Sequence, residues 1–298
     1  MSGAAAPSLA RPIDHCVLPT ADLATARGRF EALGFTVAPE GRHPFGTVNC
    51  CVYFSDDTFL EPLAIGDRAA IEKAIIDGNV FIMRDCAVRD ARGEDTFSAL
   101  VMGTSDAAAD HRCFEEAGIS AGQMLSFSRP FEDASGKRDK ASFKLAFAAG
   151  EPGSAFFFTC QRVNAPKVDR AGLQNHANGV TGIARVVLVA NDVPAHRDLI
   201  TQVTRAHEIE DFVGGTDFKT ANGLVCLLDP SGMKAMLGLA PKNGTGLDLA
   251  AIVFRVCSLE KVEERLANAG IAPMRHAGWL VVEPAPGQGA IFAFEAAE

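Results

Sequence analysis

A unit of strand, helix and further strands recurs four times along the 298 residues of this chain. In three copies, the residue before the helix and a glycine after it stand twelve positions apart; these pairs are Asp22 with Gly34, Asp106 with Gly118, and Ser258 with Gly270. Asp and Ser side chains accept the free N–H groups of a first helical turn, and glycine suits the left-handed residue that ends a helix. The third copy has its cap at Asp192 and lacks the closing glycine. This spacing predicts one supersecondary unit copied in tandem.

Extended segments after each helix complete a βαβββ pattern. The predicted strands are 35–38, 49–54 and 59–65 in the first copy, 124–131, 141–147 and 155–163 in the second, 208–213, 223–228 and 233–239 in the third, and 272–276, 279–282 and 290–295 in the fourth. A helical insertion at about 66–95 and a glycine-rich link at 172–182 fall outside the pattern. The chain therefore divides into an N-terminal domain, 11–165, and a C-terminal domain, 178–298, of two modules each.

Composition narrows the function classes. The net charge is −9, the sequence pI is about 5.3, and no Lys/Arg cluster is present. These properties exclude a general nucleic-acid binder and disfavour binding to anionic membranes. No apolar run approaches the ~20 residues of a membrane-spanning helix. The first ten residues lack the features of a signal peptide, and the eight cysteines lack metal-site spacing. We expect a cytoplasmic protein that acts on a small molecule, as a monomer or a homodimer.

Several motifs carry a resemblance to a known superfamily. They are the opening strand Ile13-Asp14-His15, the loop Gly41-Arg42-His43-Pro44 before Gly46-Thr47-Val48-Asn49, the pair Leu60-Glu61, and the downstream stretches Phe127-Ser128-Arg129-Pro130, Phe156 to Gln161 and His176-Ala177-Asn178-Gly179. With the repeat, they resemble the vicinal oxygen chelate (VOC) superfamily, in particular its bacterial glyoxalase-like proteins. This resemblance implies an α+β fold in which four tandem βαβββ modules form two half-barrel domains, each with a cup-like site.

The resemblance also implies a metal site. In metal-using members, the first and last strands of each module offer a ligand, and the first module here supplies His15 and Glu61. In the second module Ala99 takes the place of His15, and Gln161 or its neighbour Cys160 is the remaining donor. The predicted metal ligands are therefore His15, Glu61 and Gln161, and imidazole with carboxylate suits Zn, Ni, Mn or Fe. In the C-terminal domain, Arg185 and Ala251 replace the histidine, which counts against a second metal site.

The remaining candidates complete one cup. Glu61 and His43 are the predicted catalytic residues, because a carboxylate or an imidazole can move a proton. The predicted substrate-binding residues are Asn49, Arg129, Phe158, Gln161 and His176. For Asn49, Arg129 and His176 the sequence favours structural hydrogen bonding over a role at the site, and a lone loop histidine such as His43 is more often a surface residue.

Two function classes stay open at this point. One is a glyoxalase-like lyase or isomerase in which a divalent metal polarises vicinal oxygens of the substrate. The other is a metal-free protein of the bleomycin-resistance type that sequesters a small molecule in the cup. The His15 and Glu61 pair favours the enzyme, whereas the missing ligands of the second module favour the binding protein.

Overall fold

Two mixed sheets and seven helices make up the computed structural model, which describes residues 9–132, 138–165, 170–241 and 246–297. The helices are α1 (Leu23–Ala32), α2 (Arg68–Ile76), α3 (Val80–Arg92), α4 (Ala107–Glu116), α5 (Val193–Thr204), α6 (Pro230–Leu237) and α7 (Leu259–Asn268). No helix in the described part of the chain is long and apolar enough to cross a membrane.

The first sheet collects the strands of modules one and two. They are β1 (Ile13–Pro19), β2 (Gly41–Arg42), β3 (Thr47–Asn49), β4 (Val52–Tyr53), β5 (Phe59–Ile65), β6 (Ala99–Gly103), β7 (Leu125–Glu132), β8 (Arg138–Ala149) and β9 (Phe156–Asn164). Their order is β2-β3-β5-β1-β6-β9-β8-β7, with β4 paired to β5. The first strand of each module lies at the centre, where β1 and β6 pair antiparallel.

The second sheet repeats this arrangement with modules three and four. Its strands are β10 (Val180–Val189), β11 (Ile209–Phe212), β12 (Gly215–Lys219), β13 (Leu224–Leu228), β14 (Asp248–Val256), β15 (Met274–His276), β16 (Trp279–Val282) and β17 (Ile291–Ala296). Their order is β11-β12-β13-β10-β14-β17-β16-β15. The α+β fold of four βαβββ modules in two curved sheets, predicted from the repeat, is therefore confirmed.

The predicted caps start the module helices. Asp22, Asp106, Asp192 and Ser258 each accept a backbone N–H from the residue three positions later. The third module helix, which has no closing glycine, ends at Arg205 in the left-handed conformation with φ 51°. The unit thus keeps its geometry with a non-glycine residue at a position that favours glycine.

Two predicted strands are wrong. The segment predicted as strand 233–239 belongs to α6, because Asp229 accepts the Gly232 N–H and Pro230 stands at the first helical position, where its missing N–H costs nothing. The third module instead forms β11, β12 and β13 before this helix. The segment 35–38 has no strand pairing, and the first module begins its ladder at Gly41.

One apolar core joins the two sheets. It contains buried residues of both sheets and of the helices α1, α4, α5 and α7. Aromatic rings bridge the halves: Phe35 lies 5.3 Å from Phe254 between ring centroids, and Phe30 lies 5.7 Å from Phe292. Because these rings come from the first and last modules, the two sheets are packed around one apolar core.

The faces of the two sheets that point away from the shared core are covered to different extents. In the second sheet α6 covers that face, where Met233 and Leu237 pack against Val187 and Leu228. In the first sheet the helical insertion predicted at about 66–95 is formed by α2 and α3, which cover only part of the face. The remaining part of the first sheet stays open as a cavity.

Candidate functional site

A cavity of about 1190 Å³ lies on the face of the first sheet that points away from the shared core. Strand alternation explains which side chains line it, because successive residues of a strand point to opposite faces. On β5, Phe59 and Glu61 face the cavity while Leu60 between them lies in the shared core. The volume suits a small organic molecule.

Among the described residues, seven aromatic rings besides the histidines line the wall. They are Phe45, Tyr53, Phe59, Phe81, Phe127, Phe143 and Phe158. Several of them touch one another edge to face, such as Phe81 with Phe158 at 5.8 Å between centroids. Such a wall favours an apolar or aromatic ligand body.

A buried carboxylate forms the polar floor of this cavity. Asn49 Nδ2 donates a hydrogen bond of 2.6 Å to Glu61 Oε1. His43 Nε2 lies 3.6 Å from the same oxygen, and His15 Nε2 lies 3.6 Å from Glu61 Oε2. We call Glu61, His15 and His43 the Glu61 cluster.

A second carboxylate orients His15 from behind. The Asp14 Oδ1 and His15 Nδ1 atoms are 2.6 Å apart. Arg162 Nη2 donates to both Asp14 oxygens, at 2.9 and 2.8 Å. The His15 ring stacks on Phe59 with centroids 4.2 Å apart, which fixes its plane. His15 therefore has a carboxylate near each of its ring nitrogens.

His43 sits in a more apolar setting. Its ring stacks on Phe45 at 5.0 Å and meets the edge of Phe127 at 5.7 Å. Burial lowers the pKa of His43 to about 4, although the Glu61 carboxylate acts in the opposite direction. The ring is thus neutral at pH 7, with Nδ1 2.9 Å from the Thr47 hydroxyl and Nε2 towards Glu61.

The two edge strands of the first sheet approach each other beside the Glu61 cluster. Arg129 on β7 reaches across to Gly41 on β2. A Cβ on Gly41 would lie 2.4 Å from Asn49 Oδ1 and 2.9 Å from Arg129 Nη1. Glycine at this position therefore lets the amide and the guanidinium converge on one point.

Two cysteine side chains also line the cavity. Burial, followed by the Glu61 charge, raises the pKa of Cys51 to about 12. Burial likewise raises the pKa of the Cys160 thiol. A thiol is a poor nucleophile until it ionises, so neither side chain is suited to covalent catalysis.

The residues present do not fit a chelated divalent metal. Glu61 lies opposite Val17, two positions after His15. In the second module, the residue two positions after Ala99 lies opposite Phe158, so alanine and phenylalanine occupy the matching places. In the described ranges, no three His, Cys, Asp or Glu side chains form a group that could hold a metal ion.

Gln161, the predicted third ligand, does not line the cavity. Its Oε1 accepts the Ala107 N–H at 3.2 Å, and its Nε2 donates to the Ser105 carbonyl at 2.8 Å. Its amide thus satisfies the backbone at the start of α4. The adjacent Cys160 faces the cavity instead, as alternation along β9 requires.

His176 also lies away from the cavity wall. Its Nδ1 accepts the Thr36 N–H at 3.0 Å, and its Nε2 is 2.9 Å from the Tyr53 carbonyl. This is the structural hydrogen bonding that the sequence favours for His176. The remaining predicted residues, Asn49, Arg129 and Phe158, do line the cavity.

We expect His176 to make the protein acid-labile. Burial lowers its pKa, so the neutral ring stabilises the fold above its unfolded pKa of about 6.5, and this stabilisation is lost as the pH falls. In the protonated ring Nδ1 carries a hydrogen and can no longer accept the Thr36 N–H. Loss of this hydrogen bond costs on the order of 1 kcal/mol of stability. Urea unfolding at pH 8 and pH 5.5 should show a smaller pH effect in His176→Gln than in wild type. Equal pH effects in both proteins would contradict this role.

Sequence reasoning missed three contributors to the site. Asp14 could have been recognised, because it directly precedes His15 and Asp–His pairs commonly fix a ring. Arg162 and Phe59 carry no such signal, since only the strand register brings them to His15.

Comparisons with known proteins agree with this architecture. The model of the glyoxalase-like domain family matches residues 13–204. No curated protein shows a significant match. A hypothetical protein from Staphylococcus aureus is similar in structure, with a TM-score of 0.63, 14% identity, and coverage of 96% of this chain and 99% of that one.

Two further solved structures share the fold at low identity. A mutant of 4-hydroxymandelate synthase from Streptomyces coelicolor has a TM-score of 0.60 and 12% identity, covering 97% of this chain and 93% of its own. A Mn(II)-bound glyoxalase from Novosphingobium aromaticivorans has a TM-score of 0.53 and 13% identity, covering 97% and 83%. At such identities these likenesses speak for the fold and not for the reaction.

Proposed function

Because this chain belongs to the glyoxalase-like domain family, we propose that its first sheet binds a small organic molecule in the cavity and that Glu61 transfers a proton on that molecule. One observation carries the proposal: the buried Glu61 carboxylate lies 3.6 Å from the Nε2 atoms of two oriented histidines. This is an arrangement of an isomerase or a lyase that works through proton transfer.

The reaction can be written with the side chains alone. Glu61 takes the proton from a carbon next to a carbonyl group, the electron pair of that C–H bond forms a C=C bond, and the π pair of the carbonyl group moves to its oxygen. In the tautomer that carries its proton on Nε2, with Nδ1 facing the Thr47 hydroxyl, the neutral His43 ring donates a hydrogen bond to the oxygen that becomes negative. Return of the proton to another atom completes an isomerisation. Asn49 holds the Glu61 carboxylate in place.

The sequence resemblance implies a divalent metal, and the donor set argues against one. With alanine and phenylalanine at the matching second-module positions, the second module supplies no ligand to complete a chelate site with His15 and Glu61. No step above depends on a metal.

Binding without reaction is the second candidate function. The aromatic wall favours it, because seven rings besides the histidines can hold an apolar molecule without any chemistry. In that case the Glu61 cluster would serve only to orient the ligand by hydrogen bonds.

Deuterium exchange separates the two candidates. Small carbonyl compounds that raise the melting temperature are incubated with the protein in D₂O, and loss of their C–H signals is followed by proton NMR. Proton transfer predicts enzyme-dependent exchange at a carbon next to the carbonyl group. Stabilising compounds that never exchange would overturn the proton-transfer proposal in favour of binding alone.

A further inference from the structure

Two of the four arginines that line the cavity, Arg129 and Arg170, have no carboxylate partner among the side chains that the structure describes, and of these two only Arg129 is half-buried. Arg42 lies 2.6 Å from Glu40, Arg162 pairs with Asp14, and Arg170 lies 4.4 Å above the Tyr53 ring. For Arg129, no carboxylate of a side chain that the structure describes lies within 4.0 Å. Its guanidinium carbon lies 6.0 Å from the centre of the Phe143 ring, and its Nη1 atom approaches Gly41.

The surroundings of Arg129 make an unneutralised charge costly. The side chain is half-buried, and Phe127 and Phe143 of the same hairpin are cavity-lining rings stacked 5.1 Å apart. A guanidinium removed from water beside apolar groups needs an anion or good acceptors to offset its lost hydration. A ligand that enters the cavity can supply that anion.

The glycine at position 41 lets the Arg129 side chain approach Asn49. The Arg129 guanidinium and the Asn49 amide converge where a glycine side chain is missing. Asn49 in turn donates to Glu61. An oxyanion held by Arg129 therefore lies at the same end of the cavity as the Glu61 cluster.

We propose that Arg129 is the specificity-determining residue of this cavity, and that it selects ligands with an apolar or aromatic body and one oxyanion, a carboxylate or a phosphate. The inference rests on the proposed function in taking this cavity as the ligand site. Arginine matches both kinds of oxyanion with paired N–H donors, while the aromatic wall holds the body.

Matched probes test this selection by titration calorimetry. The probes are 3-phenylpropanoate, its neutral amide 3-phenylpropanamide, and 2-phenylethyl phosphate. Wild type should bind at least one anion about 10- to 100-fold more tightly than the amide, as expected for a hydrogen bond to a charged group. The anion that binds more tightly identifies the carboxylate or the phosphate as the natural group.

Variants locate the effect at Arg129. Arg129→Gln should bind the anions and the amide equally, and Arg129→Lys should restore part of the preference. Gly41→Ala is a second test, since its methyl group would meet Asn49 and Arg129 and should also lower the preference. Arg197→Gln, which removes an equal charge on α5, is the control and should keep it.

Each remaining outcome is decisive. The inference is overturned if Arg129→Gln still prefers the anionic probes to the neutral amide. It is also overturned if wild type binds none of the probes at about 10 mM. Glu61→Gln should keep the anion preference, because it changes the proton step and leaves Arg129 in place. Anion-selective binding without any deuterium exchange would therefore contradict the proposed function and leave the role of Arg129 standing.

Discussion

Replacing Glu61 with glutamine is expected to lower the rate of deuterium exchange on a bound substrate about 10²- to 10⁴-fold, the usual contribution of a general base. Glutamine keeps the size of the side chain and can still accept from Asn49 Nδ2, which donates to Glu61 at 2.6 Å. It cannot take up a proton at pH 7. Exchange rates from proton NMR, with ligand affinity from calorimetry, separate the lost chemistry from lost binding.

The second sheet offers a matched control for this change. Glu295 is a partly exposed carboxylate on β17 that pairs with Arg185 at 3.3 Å. Glu295→Gln makes the same chemical change outside the cavity and should leave the exchange rate within about twofold. An equal loss of exchange in the two variants would contradict the role of Glu61, as would full activity in Glu61→Gln.

Truncation of Phe254 should have the largest effect on stability. The ring is fully buried and lies within 6 Å of four other phenylalanine rings, two of which belong to the first module. Phe254→Ala should lower the free energy of unfolding by about 3–5 kcal/mol, the usual cost of such a cavity. Urea unfolding measures this loss.

The same experiment tests whether the sheets unfold together. Trp279, the single tryptophan, lies on β16 and reports on the second sheet, whereas far-UV circular dichroism reports on the whole chain. Because the core is shared, we expect both signals to shift together in Phe254→Ala. Phe212→Ala, at a ring that is 39% exposed, should cost less than about 1 kcal/mol. Separate transitions for the two signals would contradict a shared core.

Most of the fold could be predicted from the repeat in the sequence. Equal spacing from cap to glycine located three module helices, and the extended segments after the helices predicted most of the strands. The strand prediction for 233–239 was wrong because the spacing of its apolar residues also fits a short helix. The Asp229-Pro230 start was the deciding signal, since proline at a first helical position is a helix-start feature.

Individual cavity residues were harder to predict than the fold. Glu61 faces the cavity because it stands at an inward position of β5, whereas Asp14 and His15 both face it next to a register shift in β1. Gln161 stands one position from an inward residue, and a shift of one residue moves a side chain to the other face. The approach of Arg129 to Gly41 depends on how strongly the sheet curls, which no local pattern determines.

The most direct test of the account combines metal content with proton exchange. Elemental analysis of the purified protein, before and after incubation with Zn, Ni, Mn or Fe, is followed by the exchange assay with and without a chelator. The account predicts no near-stoichiometric metal and exchange that survives the chelator and depends on Glu61. Near-stoichiometric metal that is lost in both His15→Ala and Glu61→Ala, with exchange abolished by the chelator, would contradict it.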